Sequence, residues 1–222
     1  MAYGKGIPDF IPSFTYQPVK VSENVVKRFE GKVVVDLGAG GRKIAPWVTT
    51  VDFMELPGTD IVCDFIKEKT PFENESVDLV IATGLIEHVE DEDILMKEIL
   101  RILKPNGTLH IELPFLQQYH DDPIDFRRLT LPGLTMFLDK YGFAVENKGV
   151  HIGPTVTILT LISYYISILF SGDFIIHKIL SNSLFMLFSV IFWPLRYLDR
   201  LLINKPDAHR LAFGIYATAI KR

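Results

Sequence analysis

An aspartate followed by a glycine turn stands at the end of the most apolar strand pattern in the chain. The run Lys32–Gly41 reads K-V-V-V-D-L-G-A-G-G, which places Asp36 after three valines and shortly before Gly38 and Gly40. The β-branched run predicts a strand buried on both faces, and the glycines predict a turn where the backbone approaches something bulky. A carboxylate beside such a turn would repel a pyrophosphate, but it suits a ligand that carries an ammonium or sulfonium charge.

The spacing of these glycines differs from the fingerprint of dinucleotide-binding proteins. That fingerprint has a third glycine three residues after the second, and the sequence has Lys43 at that position. A nicotinamide-dependent oxidoreductase is therefore an alternative that we do not favour. Two more acids, Asp52 and Asp64, follow further stretches of apolar residues, and Asp52 is placed to accept hydrogen bonds from two ribose hydroxyls. Each of these aspartates could also be only a turn former or a cap.

The segment 117–130, Q-Q-Y-H-D-D-P-I-D-F-R-R-L-T, concentrates the second group of reactive side chains. Five of them can ionise: His120, Asp121, Asp125, Arg127 and Arg128. We interpret the histidine as a general base, since the pKa of an imidazole lies near neutrality, and either aspartate as the group that orients it. Either arginine would grip an anionic group of a substrate. The alternative is a loop held by its own salt bridges and by a helix cap at its end.

Alternating strands and helices must position these residues. The hydrophobic pattern predicts seven strands, at about 32–37, 47–53, 61–62, 76–82, 108–113, 143–150 and 211–220. It also predicts helices at 22–29, 91–103 and 130–140, with Ser22 and Thr130 as N-caps. The connection between the first two strands leaves room only for a short helix. This alternation predicts an open, mostly parallel sheet with its ligand at the carboxyl ends of the strands.

Composition limits the classes of protein to which the chain can belong. A net charge of −4 and a pI near 5.9 predict that nucleic acid is not a partner. The single cysteine, Cys63, excludes an internal disulfide framework and favours a reducing compartment. The first residues have neither the basic nor the apolar region of a signal peptide, and no pattern indicates a metal site. The mean hydropathy of +0.23 is high for a soluble enzyme.

A long apolar stretch near the end of the chain accounts for this hydropathy. Between Ile152 and Leu195 the only charged residues are Asp173 and Lys178. Two apolar blocks, 155–170 and 184–192, are at or below the length that spans a bilayer. We therefore predict a hairpin that dips into one leaflet, with the cations that follow it, Arg196, Arg200 and Lys205, facing anionic headgroups. The alternative is an apolar lid or a homodimer interface.

The motifs of the first 150 residues together resemble the class I S-adenosylmethionine-dependent methyltransferases. The matching pieces are V-V-V-D-L-G-A-G (33–40), V-D-F (51–53), C-D-F (63–65), V-D-L-V-I-A-T-G-L-I-E-H-V (77–89) and L-K-P-N-G-T-L-H-I-E-L-P (103–114). Residues 120–130 look like the H-x-x-P-x-D-(F/Y)-x-R-x-T pattern of a type 11-like subgroup. The resemblance implies a Rossmann-like, seven-stranded methyltransferase sheet. Because its last two strands form an antiparallel hairpin, the apolar stretch becomes a helical insertion between them.

The resemblance also implies roles for individual residues. Gly38, Ala39 and Gly40 would line the methionine part of S-adenosylmethionine, with Asp36 near its amino group and Asp52 on the ribose. Phe53 belongs to the same ribose motif, and Asp64 and Phe65 would border the adenine. His88 follows the fourth strand, where a substrate would face the methyl group, so it is a second candidate for catalysis beside His120.

These observations predict a methyltransferase with S-adenosylmethionine as its cofactor. We divide the chain into an N-terminal lead-in and helix (1–31), a cofactor-binding core (32–150), a hydrophobic insertion (151–208) and a final core strand (209–222). The predicted reaction is O-methylation of a small-molecule or lipid-linked acceptor, with a glycan included, at the inner face of the cell membrane. The alternatives are a membrane-tethered cofactor-binding protein without turnover and a soluble methyltransferase whose insertion is a lid or dimer interface.

Overall fold

The structure, a computed structural model, describes residues 17–120 and 124–222. Its helices are α1 (Val21–Lys27), α2 (Glu92–Ile102), α3 (Leu131–Lys140), α4 (Pro154–Leu169), α5 (Ile175–Phe192) and α6 (Asp199–Leu202). Its strands are β1 (Val34–Leu37), β2 (Thr49–Asp52), β3 (Ile61–Val62), β4 (Val77–Thr83), β5 (Leu103–Pro114), β6 (Phe143–Ile152) and β7 (Gly214–Lys221). Short 3₁₀ turns lie at Ile86–His88, Trp193–Leu198 and Ala208–Leu211.

The seven strands form a single mixed sheet in the order β3-β2-β1-β4-β5-β7-β6. Strands β1 to β5 pair in parallel, so their carboxyl ends lie along one edge. Strand β7 is antiparallel to β6. The N–H of Phe213, before β7, donates to the carbonyl of Ile152 at the end of β6, and the N–H of Arg222, after β7, donates to the carbonyl of Gly142 before β6. This arrangement confirms the fold class predicted from the sequence, including the helical insertion between the last two strands.

The central strands are held by burial on both faces. All four residues of β1 are buried, and most of β4 and β5 is buried as well. Helix α1 packs its valines, Val25 and Val26, against Leu79 and Ile81 of β4 in one continuous core. Burying branched side chains of this size contributes about 1.5–3 kcal/mol each, which fixes the position of the strand ends.

Three local predictions need correction. Ser22 does not cap α1, since the helix begins at Val21 and Ser22 lies inside it, with its backbone N–H donated to the Glu112 carboxylate. Residues 38–48 form successive turns without the expected short helix, because three glycines with positive φ, at 38, 40 and 41, break helical geometry. The second apolar block is also longer than predicted, since α5 extends from Ile175 to Phe192.

Two helix caps are observed, of which the sequence predicted the one at Thr130. The side chain of Asp91 accepts a hydrogen bond from the N–H of Asp93 at the start of α2. The hydroxyl of Thr130 accepts one from the N–H of Gly133 at the start of α3. Helix α3 therefore begins immediately after the ionisable segment 117–130 and fixes the carboxyl-terminal end of that segment.

The chain separates into two compact units. Among the described residues, one contains residues 20–115, 120, 124–149 and 215–222, and the other contains residues 17–19, 116–119 and 150–214. In the second unit α4 and α5 pack as a helical hairpin on a small core of Ile152, Val156, Leu159 and Phe213. The buried carboxylate of Asp199 accepts the backbone N–H groups of Thr155 and Val156 at 2.8 and 3.1 Å, which caps the start of α4.

The helical hairpin exposes a large apolar surface. Among the described side chains of α5 none is buried, and Phe174, Ile175 and Ile176 at its start are 73%, 72% and 62% exposed. Within the described part of the chain, one helical segment, Ile175–Leu202, is long and apolar enough to cross a membrane by length and composition alone. Helix α4, Pro154–Leu169, is apolar but shorter.

Candidate active site

A cavity of about 330 Å³ opens at the carboxyl ends of β1 to β4. Its volume falls in the range of small-molecule sites, and its position is where open α/β sheets bind ligands. The residues around it are Gly38, Gly40, Asp52, Phe53, Met54, Asp64, Phe65, Ile66, Gly84, Leu85, His88 and Val89. Six of the eight predicted cofactor residues are among them, and Asp36 and Ala39 are not.

The turn after β1 is held by packing against Leu85 and by a hydrogen bond to Asp52. Gly38 has φ +67°, and a Cβ placed there would lie 2.7 Å from Leu85 Cδ1. Gly40 has φ +59°, and a Cβ there would meet nothing within 4 Å, which leaves space for a ligand close to the backbone. The N–H of Gly40 donates to Asp52 Oδ2 at 2.8 Å, so Asp52 fixes the turn as well as facing the cavity. Its other oxygen accepts the N–H of Met54 at 3.0 Å.

Asp36 is a buried carboxylate with no hydrogen bond to any residue that the structure describes. The residue is 0% exposed, and neither of its oxygens has a hydrogen-bond partner among the described residues. Burial raises its pKa to about 7, although Arg42, whose guanidinium nitrogen lies 3.8 Å from Oδ2, partly offsets that rise. An acid held in this state is only partly compensated, and a cationic ligand group is the partner that would restore its charge.

The adenine-side residues have mixed surroundings. Phe65 is buried, whereas Phe53 is 52% exposed at the cavity wall. Asp64 accepts a hydrogen bond from Lys67, which lowers the pKa of the carboxyl, and it also accepts the N–H of Ile66. These contacts are those of a turn-forming aspartate, and they leave the side chain at the edge of the cavity.

Two histidines and a glutamate meet beside the cavity. The rings of His88 and His120 lie edge to face with centroids 4.9 Å apart. His88 Nδ1 is 2.7 Å from the carbonyl oxygen of Ile124, and His120 Nδ1 is 3.1 Å from Asp125 Oδ2. Glu87 is 1% exposed, and burial raises its pKa to about 7. The tertiary structure thus joins the two predicted catalytic histidines and adds an acid that the sequence interpretation did not single out.

Comparisons with known proteins agree with this architecture. Residues 55–111 match the model of the family described as "Methyltransferase domain". An S-adenosylmethionine-dependent methyltransferase from Mesorhizobium loti is 16% identical with a TM-score of 0.53, covering 94% of this chain and all of its own. The 1,6-didemethyltoxoflavin-N1-methyltransferase of Burkholderia thailandensis, solved with S-adenosylhomocysteine, is 15% identical with a TM-score of 0.53, covering 92% and 78%.

Residues 55–111 therefore match a methyltransferase domain, within a sheet that has the fold of the class I S-adenosylmethionine-dependent methyltransferases. The resemblance found in the sequence is thereby confirmed. A third similar structure is the [4+2]-cyclase SpnF, which is 14% identical with a TM-score of 0.52 and covers 90% of this chain and 80% of its own. The fold by itself therefore does not define the reaction. None of the curated proteins is significantly similar in sequence to this chain.

The two arginines of the loop 117–130 are paired within the protein. Arg127 donates to Glu92 at 2.6 Å and to the carbonyl of Glu90 at 2.8 Å. Arg128 makes a two-nitrogen contact with Asp125. Burial alone would raise the pKa of Asp125, but hydrogen bonds from Arg128 and from the His120 backbone hold that pKa below its usual value. These contacts are those of the alternative in which the loop is tied by its own salt bridges, and substrate binding by these three residues stays a prediction.

Asp121, the third predicted catalytic residue, lies outside the described residues. The sequence interpretation also did not name several residues around the cavity: Met54, Ile66, Gly84, Leu85 and Val89. Each follows or neighbours a motif at the carboxyl end of a strand, so position alone could have indicated them. For Glu87 the available signal was its place beside His88 directly after a buried strand.

Proposed function

We propose that this methyltransferase transfers a methyl group from S-adenosylmethionine to a hydroxyl oxygen of a hydrophobic or lipid-linked acceptor, a lipid-linked glycan included, at a membrane surface. The observation that carries the chemistry is the histidine pair at the edge of the cavity, with His88 facing the cavity. An acceptor hydroxyl needs a base to take its proton, and an imidazole has a suitable pKa.

The residues present fit the cofactor. The buried carboxylate of Asp36 has no hydrogen-bond partner among the described residues, and it would pair with the amino group of the methionine part. The open space above Gly40 accommodates a ligand close to the backbone, and Asp52 faces the cavity where ribose hydroxyls would lie. When bound, S-adenosylmethionine supplies an activated methyl group on a sulfonium sulfur, which departs as a neutral thioether.

His88 is oriented as a proton acceptor. A carbonyl oxygen can only accept, so the 2.7 Å contact with Ile124 requires that Nδ1 carries the proton and donates it. In the neutral ring Nε2 is then unprotonated and can take the proton of an acceptor hydroxyl while the new oxygen–carbon bond forms. Asp125 orients His120 in a similar way through Nδ1, which makes His120 a second proton acceptor or a positioning residue.

The apolar surface of the helical hairpin supports the membrane part of the proposal. Helix α5 has 18 residues, or about 27 Å at 1.5 Å per residue, and no buried residue among its described side chains. At its end Arg196 stacks over Trp193 at 4.9 Å, and both Arg196 and Arg200 lie 5.2 Å from the ring of Tyr197. Aromatic rings with arginines are the side chains that settle at the level of lipid headgroups.

The proposed location is peripheral, on the cytoplasmic side of the cell membrane. Anionic lipids enrich that surface and attract basic residues, and the cations beside Trp193 provide the matching charge. An acceptor delivered within the bilayer would explain why a methyltransferase carries such an apolar insertion. A homodimer or lid formed by the same surface is an outcome that the experiments below distinguish.

The activity test uses cell extract separated into lipid and aqueous fractions. Each fraction is incubated with the protein and methyl-labelled S-adenosylmethionine, and binding of the cofactor is measured separately. We expect label in the lipid fraction, a loss of about 10²–10⁴-fold in His88→Ala with the cofactor still bound, and no change in the control His209→Ala. Label only in the aqueous fraction would refute a lipid-linked acceptor, and intact binding without label anywhere would favour a cofactor-binding protein.

The membrane test uses Trp193 as a probe. The chain has two tryptophans, so Trp47→Phe leaves Trp193 as the only tryptophan, and its emission is excited selectively over that of the tyrosines. We expect its emission to shift to the blue with vesicles rich in phosphatidylglycerol and to be quenched by brominated lipid. Removing the two cations in Arg196→Gln/Arg200→Gln should weaken binding by roughly thirtyfold at about 1 kcal/mol each. The control Arg210→Gln should not, and a concentration-dependent dimer without vesicle binding would refute membrane contact.

A further inference from the structure

Three side chains that can bind a metal converge beside the cavity. One ligand atom from each of Glu87, His88 and His120 lies within 4.8 Å of the other two. Glu87 and His88 follow β4, and His120 belongs to a distant part of the chain, so these residues have no metal-binding spacing in the sequence. A pair of imidazoles with one carboxylate is a donor set of catalytic zinc and of non-haem iron sites.

Both histidines are held by a second layer of contacts. His88 Nδ1 donates to the backbone carbonyl of Ile124, and His120 Nδ1 lies 3.1 Å from the carboxylate of Asp125, which Arg128 also contacts. A backbone carbonyl and a carboxylate on the ring nitrogen opposite the metal are the usual orienting groups of ligating histidines. For His88 this contact presents Nε2, which is 4.0 Å from Glu87 Oε1.

The glutamate of this cluster is buried and incompletely satisfied. Glu87 is 1% exposed, and its Oε2 has no hydrogen-bond partner in the described ranges. Its own backbone carbonyl accepts the N–H of Phe126 at 2.7 Å, which ties the 3₁₀ turn after β4 to the loop that follows His120. A buried carboxylate oxygen without a hydrogen bond is costly, and a bound cation is one way to remove that cost.

We propose that Glu87, His88 and His120 bind one divalent first-row transition-metal ion, such as Zn²⁺, Mn²⁺ or Fe²⁺. When a metal lies 2.0–2.1 Å from each of its tetrahedral ligand atoms, those atoms are about 3.3 Å from one another. The ligand atoms here lie within 4.8 Å of one another, so each must move by about 1 Å to complete the site. Imidazole ligands do not suit Mg²⁺, which prefers oxygen and keeps its waters. Three protein ligands leave a coordination position open, as in catalytic sites.

The open position gives the metal a role that rests on the proposed methyl transfer. His88 borders the cavity, so an acceptor hydroxyl that reaches the methyl group would also reach the metal. A metal-bound hydroxyl loses its proton near neutral pH, since the cation stabilises the oxyanion. With the metal bound, the histidines act as ligands in place of the base role proposed above, and the hydroxyl proton leaves to solvent or to a second base.

The test measures metal binding directly on the full chain. The protein is dialysed against a chelator and titrated with Zn²⁺ and with Co²⁺, whose visible absorption reports coordination by nitrogen and oxygen. We expect one ion per chain, a Co²⁺ spectrum, and no binding of Mg²⁺ at the same concentration. His88→Ala and the isosteric Glu87→Gln should each lose at least about tenfold in affinity, whereas His209→Ala, at a histidine bonded to the carbonyl of Pro206, should not.

The results separate this proposal from the proposed function. The metal site would be overturned if both His88→Ala and Glu87→Gln bound the metal with unchanged affinity. It would also be overturned if the protein bound no more metal than a sample whose histidines are blocked by diethyl pyrocarbonate. If Glu87→Gln keeps the melting temperature yet loses the metal, misfolding is excluded as the cause. Metal binding without methyl transfer would support the metal site and refute the proposed reaction. Methyl transfer that resists a chelator, with no metal bound, would support the proposed reaction and refute the metal site.

Discussion

Replacing Asp36 by asparagine should stabilise the protein without ligand and weaken its binding of the cofactor. Asp36 is fully buried, and burial raises the pKa of its carboxyl from 3.8 to about 7. The folded state therefore holds a proton that the unfolded chain releases near pH 4. Since the folded protein binds more protons than the unfolded chain between those values, the free energy of unfolding falls as the pH rises from about 4 to about 7.

The size of the effect follows from that difference. At about 1.4 kcal/mol per pH unit, ionised Asp36 costs about 4 kcal/mol above pH 7. An asparagine carries no charge but leaves its amide donors buried without partners, at a cost of about 1–3 kcal/mol. At pH 8 we therefore expect Asp36→Asn to be more stable than the wild type by about 1–3 kcal/mol. The advantage should disappear toward pH 4.

Cofactor affinity should move in the opposite direction. A hydrogen bond between charged groups contributes about 1.5–3 kcal/mol, so Asp36→Asn should bind S-adenosylmethionine about 10- to 100-fold more weakly. Its affinity for 5′-methylthioadenosine, which lacks the amino-acid part, should stay the same. Asp139→Asn removes the same charge from an exposed position and is the matched control.

The measurements are urea unfolding at pH 4, 6 and 8 and calorimetric titration with both nucleosides. A variant that is less stable than the wild type at pH 8, with no pH dependence in the difference, would refute the assignment of a carboxylate whose charge is only partly compensated. Equal losses for both nucleosides would show that Asp36 supports the shape of the cavity and does not contact the amino group.

Three further substitutions test the turn and the helical hairpin. Gly38→Ala combines a left-handed backbone with a contact at 2.7 Å to Leu85, so urea unfolding should show a loss of about 2–4 kcal/mol. In Gly40→Ala the new Cβ meets no protein atom within 4 Å, so the free energy of unfolding should fall by only about 1–2 kcal/mol. Because the Cβ occupies space left for the ligand, calorimetry should show weaker cofactor binding. Equal stability losses in the two variants would contradict this distinction. Asp199→Asn places an amide NH₂ opposite one of the two backbone N–H groups at the start of α4, so the free energy of unfolding should fall by about 1–3 kcal/mol. Hydrogen exchange should also accelerate at the amides of Thr155 and Val156. Unchanged exchange at these amides would show that the cap is dispensable.

The cofactor side of the site could be predicted because its residues follow individual strands. Asp36, Gly38 and Asp52 each stand at the carboxyl end of an apolar run, and parallel strands bring those ends to one edge. The hydrophobic period that defines a strand therefore also places the residue after it. The predictions that failed concern local details, such as the start of α1, where the helix begins at Val21, one residue before the predicted cap Ser22.

The acceptor side could not be predicted in the same way. Whether Arg127 faces a substrate or Glu92 depends on the path of a loop, and no period in the sequence encodes that path. The same holds for α5, where composition predicted an apolar helix but only the packing of the hairpin determined which of its residues are covered.

The sequence by itself therefore determined the sheet, the glycine turn and the class of cofactor, because each depends on short-range patterns of burial and backbone freedom. The tertiary structure alone decided that Glu87, His88 and His120 meet, and that the carboxylates of Asp36 and Glu87 are raised in pKa by burial. The reason is physical. Contacts between distant segments, and the loss of water around a charge, arise only when the packed chain closes over them.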